Sequence, residues 1–355
     1  MALELTKNTI NISQFMNETN PTTEIAVVIN TTHFDVPYED YKYRPETYIV
    51  PIIFGIIFFA GLLGNGMLIA VFVKHRAMRN VPNTHILSLS IADLMLILTA
   101  VPFVSVVYTV ESWPWGSRMC VLSEFMKDFS TGVSVFTLVA MSLDRFLAIV
   151  NPLRRFQGTT GKRTTFTTTI IAAFIWLLAI ICAIPAYLGS HVKHQQINKN
   201  TSFNYCYPFP EEWGPDYAKA IVLAKFLVYY AMPLLIIGLF YIMIAVHLAY
   251  GASIPGERQG ALRQKNLFIL RMFKVKARRK VAITVITFVA IFCICFFPQN
   301  AFMLWFYYNE NSELEYNAFW HVLRIIGFCL SFGNSCANPI ALYFVSAAFR
   351  KHFNR

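Results

Sequence analysis

Seven segments of this 355-residue chain are each long and apolar enough to cross a lipid bilayer. An α-helix rises about 1.5 Å per residue, so about 20 apolar residues cross the hydrocarbon core. A bilayer offers the backbone no hydrogen-bond partners, so these segments should be helical. We call them the first to seventh spans, with predicted bounds near 49–73, 84–108, 120–150, 165–188, 218–250, 275–307 and 316–343. The predicted fold class is an all-α integral membrane protein with a seven-transmembrane helix bundle.

Composition and charge agree with this fold. The chain is 56% hydrophobic and only 14% charged, with a mean hydropathy of +0.50, which favours a multi-pass membrane protein. Most of the 30 lysine and arginine residues lie after the first, third and fifth spans and at the end of the chain. The positive-inside rule therefore places the amino terminus outside. The basic residues flank spans and have no aromatic stacking platform among them, so we expect no nucleic-acid partner.

The sequence divides into three predicted parts. Residues 1–47 are polar and should form a glycosylated extracellular tail, residues 48–345 should form the seven-span domain, and residues 346–355 should form a short amphipathic helix on the membrane surface. N-glycosylation sequences occur in the tail and in the connection after the fourth span, at Asn11, Asn17, Asn30 and Asn200.

A carboxylate lies in the middle of the second span. Asp93 is surrounded in sequence by apolar residues, and an ionisable group at that depth indicates function because it is costly to place there. Oxygen-bearing side chains occur at similar depth on the third and seventh spans, at Ser134, Asn334, Ser335 and Asn338. An oxygen cluster with one carboxylate suits a hard cation such as sodium. We predict sodium as an allosteric modulator and no cofactor.

The third span has candidate functional residues at both of its ends. Cys120 lies near its start, and Asp144-Arg145-Phe146 lies near its end, separated from the cysteine by a helix of bilayer length. An acid followed by an arginine at the inner mouth of a span indicates a paired, functional group. A merely interfacial charge pair is the alternative.

Further signature residues occur in order along the spans. They are Asn65, Leu89 to Asp93, Cys120, Asp144 to Phe146, Trp176, Pro233 with Tyr241, Phe292 to Pro298, and Asn338 with Pro339. In this order they resemble the rhodopsin-like (class A) G-protein-coupled receptors over most of the chain. Residues 78–83, 132–138 and 334–343 are similar to the bombesin and endothelin receptor group, and Phe296 to Asn300 resembles the invertebrate CCHamide neuropeptide receptors.

The resemblance implies a receptor and not an enzyme. Its expected ligand is an extracellular neuropeptide, bombesin-like or CCHamide-type, and its expected partner is a heterotrimeric G protein, with the Gq class and calcium release favoured. Arrestin and a receptor kinase are candidate partners, and membrane lipid surrounds the protein. The expected location is the plasma membrane.

The resemblance also implies roles for individual residues. Cys120 and Cys206 are expected to form a disulfide. The residues implied in G-protein coupling are Asp144, Arg145, Leu153 and Tyr241. Those implied in the activation switch are Val135, Pro233, Phe292, Phe296, Asn338, Pro339 and Tyr343. Phe296 departs from the tryptophan that most members carry at its position.

Charged side chains in the outer halves of the spans predict a cavity of mixed charge. The predicted ligand-binding residues are Glu124, Lys127, Asp128, Lys225, Gln299, Asn300, Met303, Arg324 and Phe328. We expect Phe296, Gln299 and Asn300 at its floor. A cavity with both signs of charge suits a peptide better than an amine or a lipid. Alternatively, some of the charged residues on the third span satisfy one another along the helix face.

Other functions fit the sequence less well. A receptor for an amine would need a carboxylate where Lys127 stands, although the adjacent Asp128 keeps this alternative open. An opsin would need a lysine where Phe332 stands. The sequence shows no inverted repeats typical of a transporter and no clustered nucleophile and base or metal ligands typical of a membrane enzyme.

Overall fold

The computed structural model describes residues 43–75, 81–110, 112–150, 161–198, 201–251, 261–345 and 350. Within these ranges, six helices are long and apolar enough to cross a membrane, and a bent helix pair makes a seventh span. Five spans are continuous helices, at Glu46–Lys74, Gly116–Val150, Gly161–Gly189, Ala261–Tyr308 and Ala318–Val345. The predicted seven-span helical fold is confirmed.

Several predicted features lie outside the described residues. They are the tail up to residue 42, the glycosylation sites Asn11, Asn17, Asn30 and Asn200, the coupling residue Leu153, and the amphipathic helix 346–355 apart from residue 350. These assignments stay predictions.

The second span is bent near its end. The helix Val81–Thr99 is followed by the short helix Val101–Val104 and a 3-10 turn, Ser105–Tyr108. The two parts of the span meet at an angle of 41°. Pro102 lies at the start of the short helix, and proline favours a bend there because it has no backbone N–H and its ring clashes with the preceding turn.

The fifth span contains a widened turn. The helix Tyr217–Phe226 passes into a π-helical segment, Leu227–Ala231, and then into the helix Met232–Gly251. Pro233 lies two residues after the end of this segment and cannot donate the backbone hydrogen bond of a regular α-helix. Single π turns inside α-helices commonly occur at functional sites.

A β-hairpin that the sequence analysis did not predict connects the fourth and fifth spans. Strands β1, His191–Asn198, and β2, Thr201–Tyr207, pair antiparallel, with Val192 opposite Cys206. Aromatic residues are frequent in β2, as is typical of strands. We call the end of the bundle that carries this hairpin the hairpin end, and the opposite end the Arg145 end.

The sixth helix begins earlier than predicted. We expected it near residue 275, whereas the helix runs over Ala261–Tyr308. The added turns are rich in lysine and arginine, so hydropathy, which finds only the part of a helix suited to lipid, gives no signal for them.

The third span lies at the centre of the bundle. It packs against the second, fourth, fifth and sixth spans. One buried cluster, which includes Phe129 and Phe332, joins the first, second, third, fourth and seventh spans. A second, which includes Val135 and Phe292, joins residues of the first, second, third, fifth, sixth and seventh spans toward the Arg145 end. The third span therefore contributes to both.

The sixth and seventh spans pack closely at Gly327. A Cβ atom at this position would lie 2.6 Å from the backbone nitrogen of Gln299 and 2.8 Å from its Cα atom. Atoms of a packed helix backbone cannot move aside as a flexible side chain can. The absence of a side chain at Gly327 therefore allows the seventh span to pack directly against the backbone of Gln299 on the sixth span.

We predict that Gly327→Ala lowers the free energy of unfolding by about 1–3 kcal/mol, because the added methyl group forces the two helices apart. Gly238→Ala is a matched control, since nothing lies within 4 Å of the Cβ position there. That control should unfold at the same temperature as the parent or slightly higher, because alanine favours helix. Thermal unfolding of the purified, detergent-solubilised proteins measures both, and equal midpoints for the two variants would contradict the prediction.

Candidate functional site

A cavity of about 340 Å³ opens at the hairpin end. Its walls come from the start of the first span, from the second, third, sixth and seventh spans and from strand β2. Most of the predicted ligand-binding residues line it, namely Glu124, Lys127, Gln299, Met303, Arg324 and Phe328. The cavity thus combines an apolar wall with charges of both signs, as the sequence analysis expected.

The remaining predicted residues lie elsewhere. Asp128, Lys225 and Asn300 are not among the cavity-lining residues, and Phe296, which we expected at the floor, is also absent from the lining. The side-chain amide of Asn300 donates to the backbone oxygen of Phe296 at 2.8 Å. The Phe296 ring instead packs in the core against Phe292, with ring centroids 4.5 Å apart.

Two ion pairs organise the charges of the third span. Lys127 Nζ lies 2.5 Å from Glu124 Oε2 on the same helix face, as the alternative interpretation of these residues suggested. Lys225 Nζ on the fifth span lies 2.7 Å from Asp128 Oδ2, which is buried. The second pair joins the third span to the fifth just before the π-helical segment.

Residues that the sequence analysis did not assign to ligand binding complete the cavity. Glu46 at the start of the first span lies with its Oε1 atom 3.1 Å from His321 Nε2 on the seventh span. The Tyr316 hydroxyl lies 3.1 Å from the other ring nitrogen of His321. Tyr205 on β2 and Tyr307 on the sixth span also line the cavity. These residues come from different spans and from strand β2, and only tertiary packing brings them together. No local sequence pattern therefore identifies them as one group.

The predicted disulfide between Cys120 and Cys206 is present. It fixes β2 to the start of the third span. A second attachment lies at Asn204, whose backbone oxygen accepts from the Trp113 backbone N–H at 2.8 Å and whose N–H donates to the Ser112 hydroxyl at 2.9 Å. Strand β2 is therefore a firmly held wall of the cavity.

The residues predicted to hold sodium meet in the middle of the bundle. Asp93 is fully buried, and the Asn338 side chain donates to its Oδ2 atom at 2.8 Å. Asn65 ties the first span to the same place, because its side chain donates to the Ser335 backbone oxygen at 2.8 Å. A small cavity beside the cluster is lined in part by Ser134, Asn334 and Asn338.

The cluster offers oxygen atoms that lack partners. Among the described residues, Asp93 Oδ1 and Ser134 Oγ are buried and make no hydrogen bond of standard geometry, although Ser130 and Ser335 are close enough to interact with the Asp93 carboxylate. Buried polar atoms are usually satisfied, so two such oxygens fit a small hard cation. The same ranges contain no group of three or more His, Cys, Asp and Glu side chains that suits a transition metal. Sodium binding at this cluster stays a prediction.

The residues predicted for activation and coupling lie along the core toward the Arg145 end. Phe292 packs between Phe296 and Tyr230, whose ring centroid lies 6.4 Å from that of Phe292. Arg145 is buried, with 8% of its surface exposed. Tyr241 of the fifth span is close enough to interact electrostatically with the Arg145 guanidinium. The other predicted switch residues, Val135, Pro233, Asn338, Pro339 and Tyr343, are on the third, fifth and seventh spans.

Comparison with known proteins decides the family. Residues 64–343 match the 7 transmembrane receptor (rhodopsin family). The chain belongs to this family. The predicted resemblance to rhodopsin-like receptors is therefore confirmed, and the family is one of receptors rather than enzymes.

A curated relative narrows the likeness within the rhodopsin family. The chain is 61% identical over 322 residues to the neuropeptide CCHamide-1 receptor of Drosophila melanogaster. The match covers 90% of this chain and 62% of the relative, so the chain spans about three fifths of that protein's length. The similarity to CCHamide receptors that Phe296 to Asn300 indicated is confirmed.

The ion pair between Asp128 and Lys225 predicts a pattern of stability changes. Lys225→Met should lower the free energy of unfolding by about 3 kcal/mol, because it leaves the buried Asp128 carboxylate without its cation. Adding Asp128→Asn to that variant should restore part of the loss, since the uncompensated charge is then removed. Thermal unfolding of the single and double variants measures this. Strictly additive losses would show that the two side chains do not stabilise each other.

Proposed function

We propose that this chain is a plasma-membrane receptor for a CCHamide-type neuropeptide, which it binds at the hairpin end, outside the cell, to activate a heterotrimeric G protein at the Arg145 end. The observation that carries this proposal is the 61% identity to the neuropeptide CCHamide-1 receptor of Drosophila melanogaster. The charge distribution of the sequence supports the orientation, since most lysine and arginine residues flank the connections at the Arg145 end.

The cavity supports a peptide ligand over an amine. Its volume of about 340 Å³ is within the range of small-molecule and peptide side-chain pockets. The carboxylates that line it, Glu46 and Glu124, each lie beside a basic side chain of the receptor. Asp128, which kept the amine alternative open, pairs with Lys225 and does not line the cavity. A small cation would therefore have to displace an existing partner to reach a carboxylate.

In this proposal, the conformational change caused by peptide binding is transmitted to the G protein through the core of the bundle. The packed rings of Phe292 and Phe296 transmit a shift of the sixth span to Arg145 and Tyr241, which then contact the G protein with Asp144 and Leu153. We infer Gq coupling with calcium release, regulation by arrestin and a receptor kinase, and contact of the basic sixth helix with membrane lipid. The central position of the third span supports this route, because it contacts the spans on both sides of the switch.

A nucleotide-exchange assay tests the function. Synthetic CCHamide-1, added to membranes that contain the chain and a purified Gq heterotrimer, should increase nucleotide exchange on the G protein and release calcium in intact cells. A peptide of the same composition in scrambled order is the control. Stimulation by a biogenic amine and by no peptide of a neuropeptide panel would overturn the proposal in favour of the amine alternative.

We also propose that sodium, held by Asp93, Ser134, Asn334, Ser335 and Asn338, stabilises the resting state. A cation that fits one of two conformations better shifts the equilibrium toward it by its differential affinity. Replacing sodium with a large organic cation should therefore raise the affinity for agonist. Asp93→Asn should abolish that dependence, because the carboxylate supplies the cluster's charge.

Equilibrium binding of labelled CCHamide-1 in the two salts measures the sodium effect. Asp216→Asn makes the same chemical change at an exposed acid and should keep the parent's sodium dependence. If agonist affinity of the unmodified receptor is the same in both salts, sodium has no such role here.

A further inference from the structure

Three polar atoms along the cavity wall lack hydrogen-bond partners among the described residues. They are the hydroxyl oxygens of Tyr205 and Tyr307 and the side-chain oxygen of Gln299. All three are buried, and all three residues line the cavity. Because buried polar atoms in proteins are nearly always satisfied, three exceptions on one wall call for an explanation.

The two phenol rings are held in place by aromatic neighbours. Tyr307 is only 6% exposed, and its ring packs against Phe209 and Phe306 with centroids 5.4 and 5.3 Å away. The Tyr205 ring packs against Phe203 and Tyr207 at 5.7 and 5.9 Å. Neither hydroxyl can therefore turn toward bulk water without disrupting this packing, and each keeps its direction along the wall.

The protein itself offers these hydroxyls few acceptors. The Tyr207 hydroxyl is close to that of Tyr307, but a hydrogen bond between two phenols uses only one of their two protons. Glu211, the nearby carboxylate, is already paired with Lys193. At least one phenol proton of this group, and that of Tyr205, must find an acceptor in the cavity.

The surroundings indicate which kind of acceptor fits. Burial raises the pKa of Tyr205 and of Tyr207, and the negative charge of Glu211 raises both further. A ligand carboxylate buried against these phenols would lose its hydration, the same cost that raises the pKa of the phenols. An uncharged acceptor such as a peptide carbonyl meets a much smaller cost.

We propose that Tyr205 and Tyr307 are specificity-determining residues that donate hydrogen bonds to backbone carbonyls of the bound peptide, while the Gln299 side-chain oxygen accepts from a peptide N–H. This inference rests on the proposed function and names the ligand groups that the hairpin side of the cavity recognises. Eight residues of helix separate Gln299 from Tyr307, or about 12 Å. Three to four residues of extended peptide, at about 3.3 Å each, cover that distance.

Tyrosine-to-phenylalanine variants test the inference, because they remove only the hydroxyl. Tyr205→Phe and Tyr307→Phe should each weaken equilibrium binding of labelled CCHamide-1 about fivefold, the effect of one uncharged hydrogen bond, and the double variant should weaken it further. Tyr308→Phe is the matched control. Its hydroxyl donates to the Lys219 backbone oxygen at 3.2 Å and the residue is not among those lining the cavity, so affinity should not change.

Stability of the ligand-free receptor separates ligand recognition from a structural role. Removing the Tyr205 hydroxyl should leave the melting temperature unchanged or raise it slightly, whereas Tyr307→Phe also removes the interaction with the Tyr207 hydroxyl and should lower it slightly. A lower melting temperature in Tyr205→Phe would show that its hydroxyl is bonded within the protein, which would overturn the inference.

The outcomes for the two proposals are distinguishable. If the unmodified receptor binds CCHamide-1 and the two phenylalanine variants bind it equally well, the inference is overturned and the proposed function stands. If the unmodified, correctly folded receptor binds no peptide of the neuropeptide panel, the proposed function itself fails, and the assignment of these hydroxyls to peptide carbonyls fails with it.

Discussion

The backbone of this protein must satisfy its own hydrogen bonds inside lipid, and the rest of the structure depends on that constraint. Most spans meet it as continuous helices. The two departures are the bend in the second span at Val101–Tyr108 and the π-helical segment Leu227–Ala231 in the fifth. The bend contributes Val104 and Tyr108 to the cavity, and the π segment follows Lys225, which holds Asp128. Irregular backbone thus occurs where it shapes the ligand cavity and the ion pair next to it.

Electrostatics inside the bundle follow a second pattern. The carboxylates of Glu124 and Asp128 each lie beside a lysine, as expected for charges removed from water. The buried polar atoms that make no hydrogen bond among the described residues include atoms around Asp93 in the middle of the bundle and atoms of Tyr205 and Tyr307 along the cavity wall. The Asp128–Lys225 pair joins two helices, whereas we propose that the oxygens around Asp93 and along the cavity wall bind an ion and a peptide.

The hairpin gives the cavity a rigid wall although it belongs to a connection between spans. The disulfide from Cys206 to Cys120 fixes β2 to the third span, and the backbone of Asn204 bonds to the segment that precedes that span. Tyr207 and Phe209 pack in one cluster with Phe302 of the sixth span. Recognition residues on such a supported strand are held precisely, which lowers the entropy that a ligand must overcome on binding.

The sequence by itself determined the seven spans, because each apolar segment is suited to lipid independently of its neighbours, and its signature residues indicated the receptor family and the Cys120–Cys206 pair. It did not reveal the hairpin or the start of the sixth helix at Ala261, since neither leaves a signal in hydropathy. Only the tertiary structure decided which charged residues face the ligand cavity. Glu124 lines it, whereas Asp128, one helical turn away, pairs with Lys225. The reason is physical: periodicity shows which residues share a face of a helix, but packing against neighbouring helices sets how that helix is rotated in the bundle.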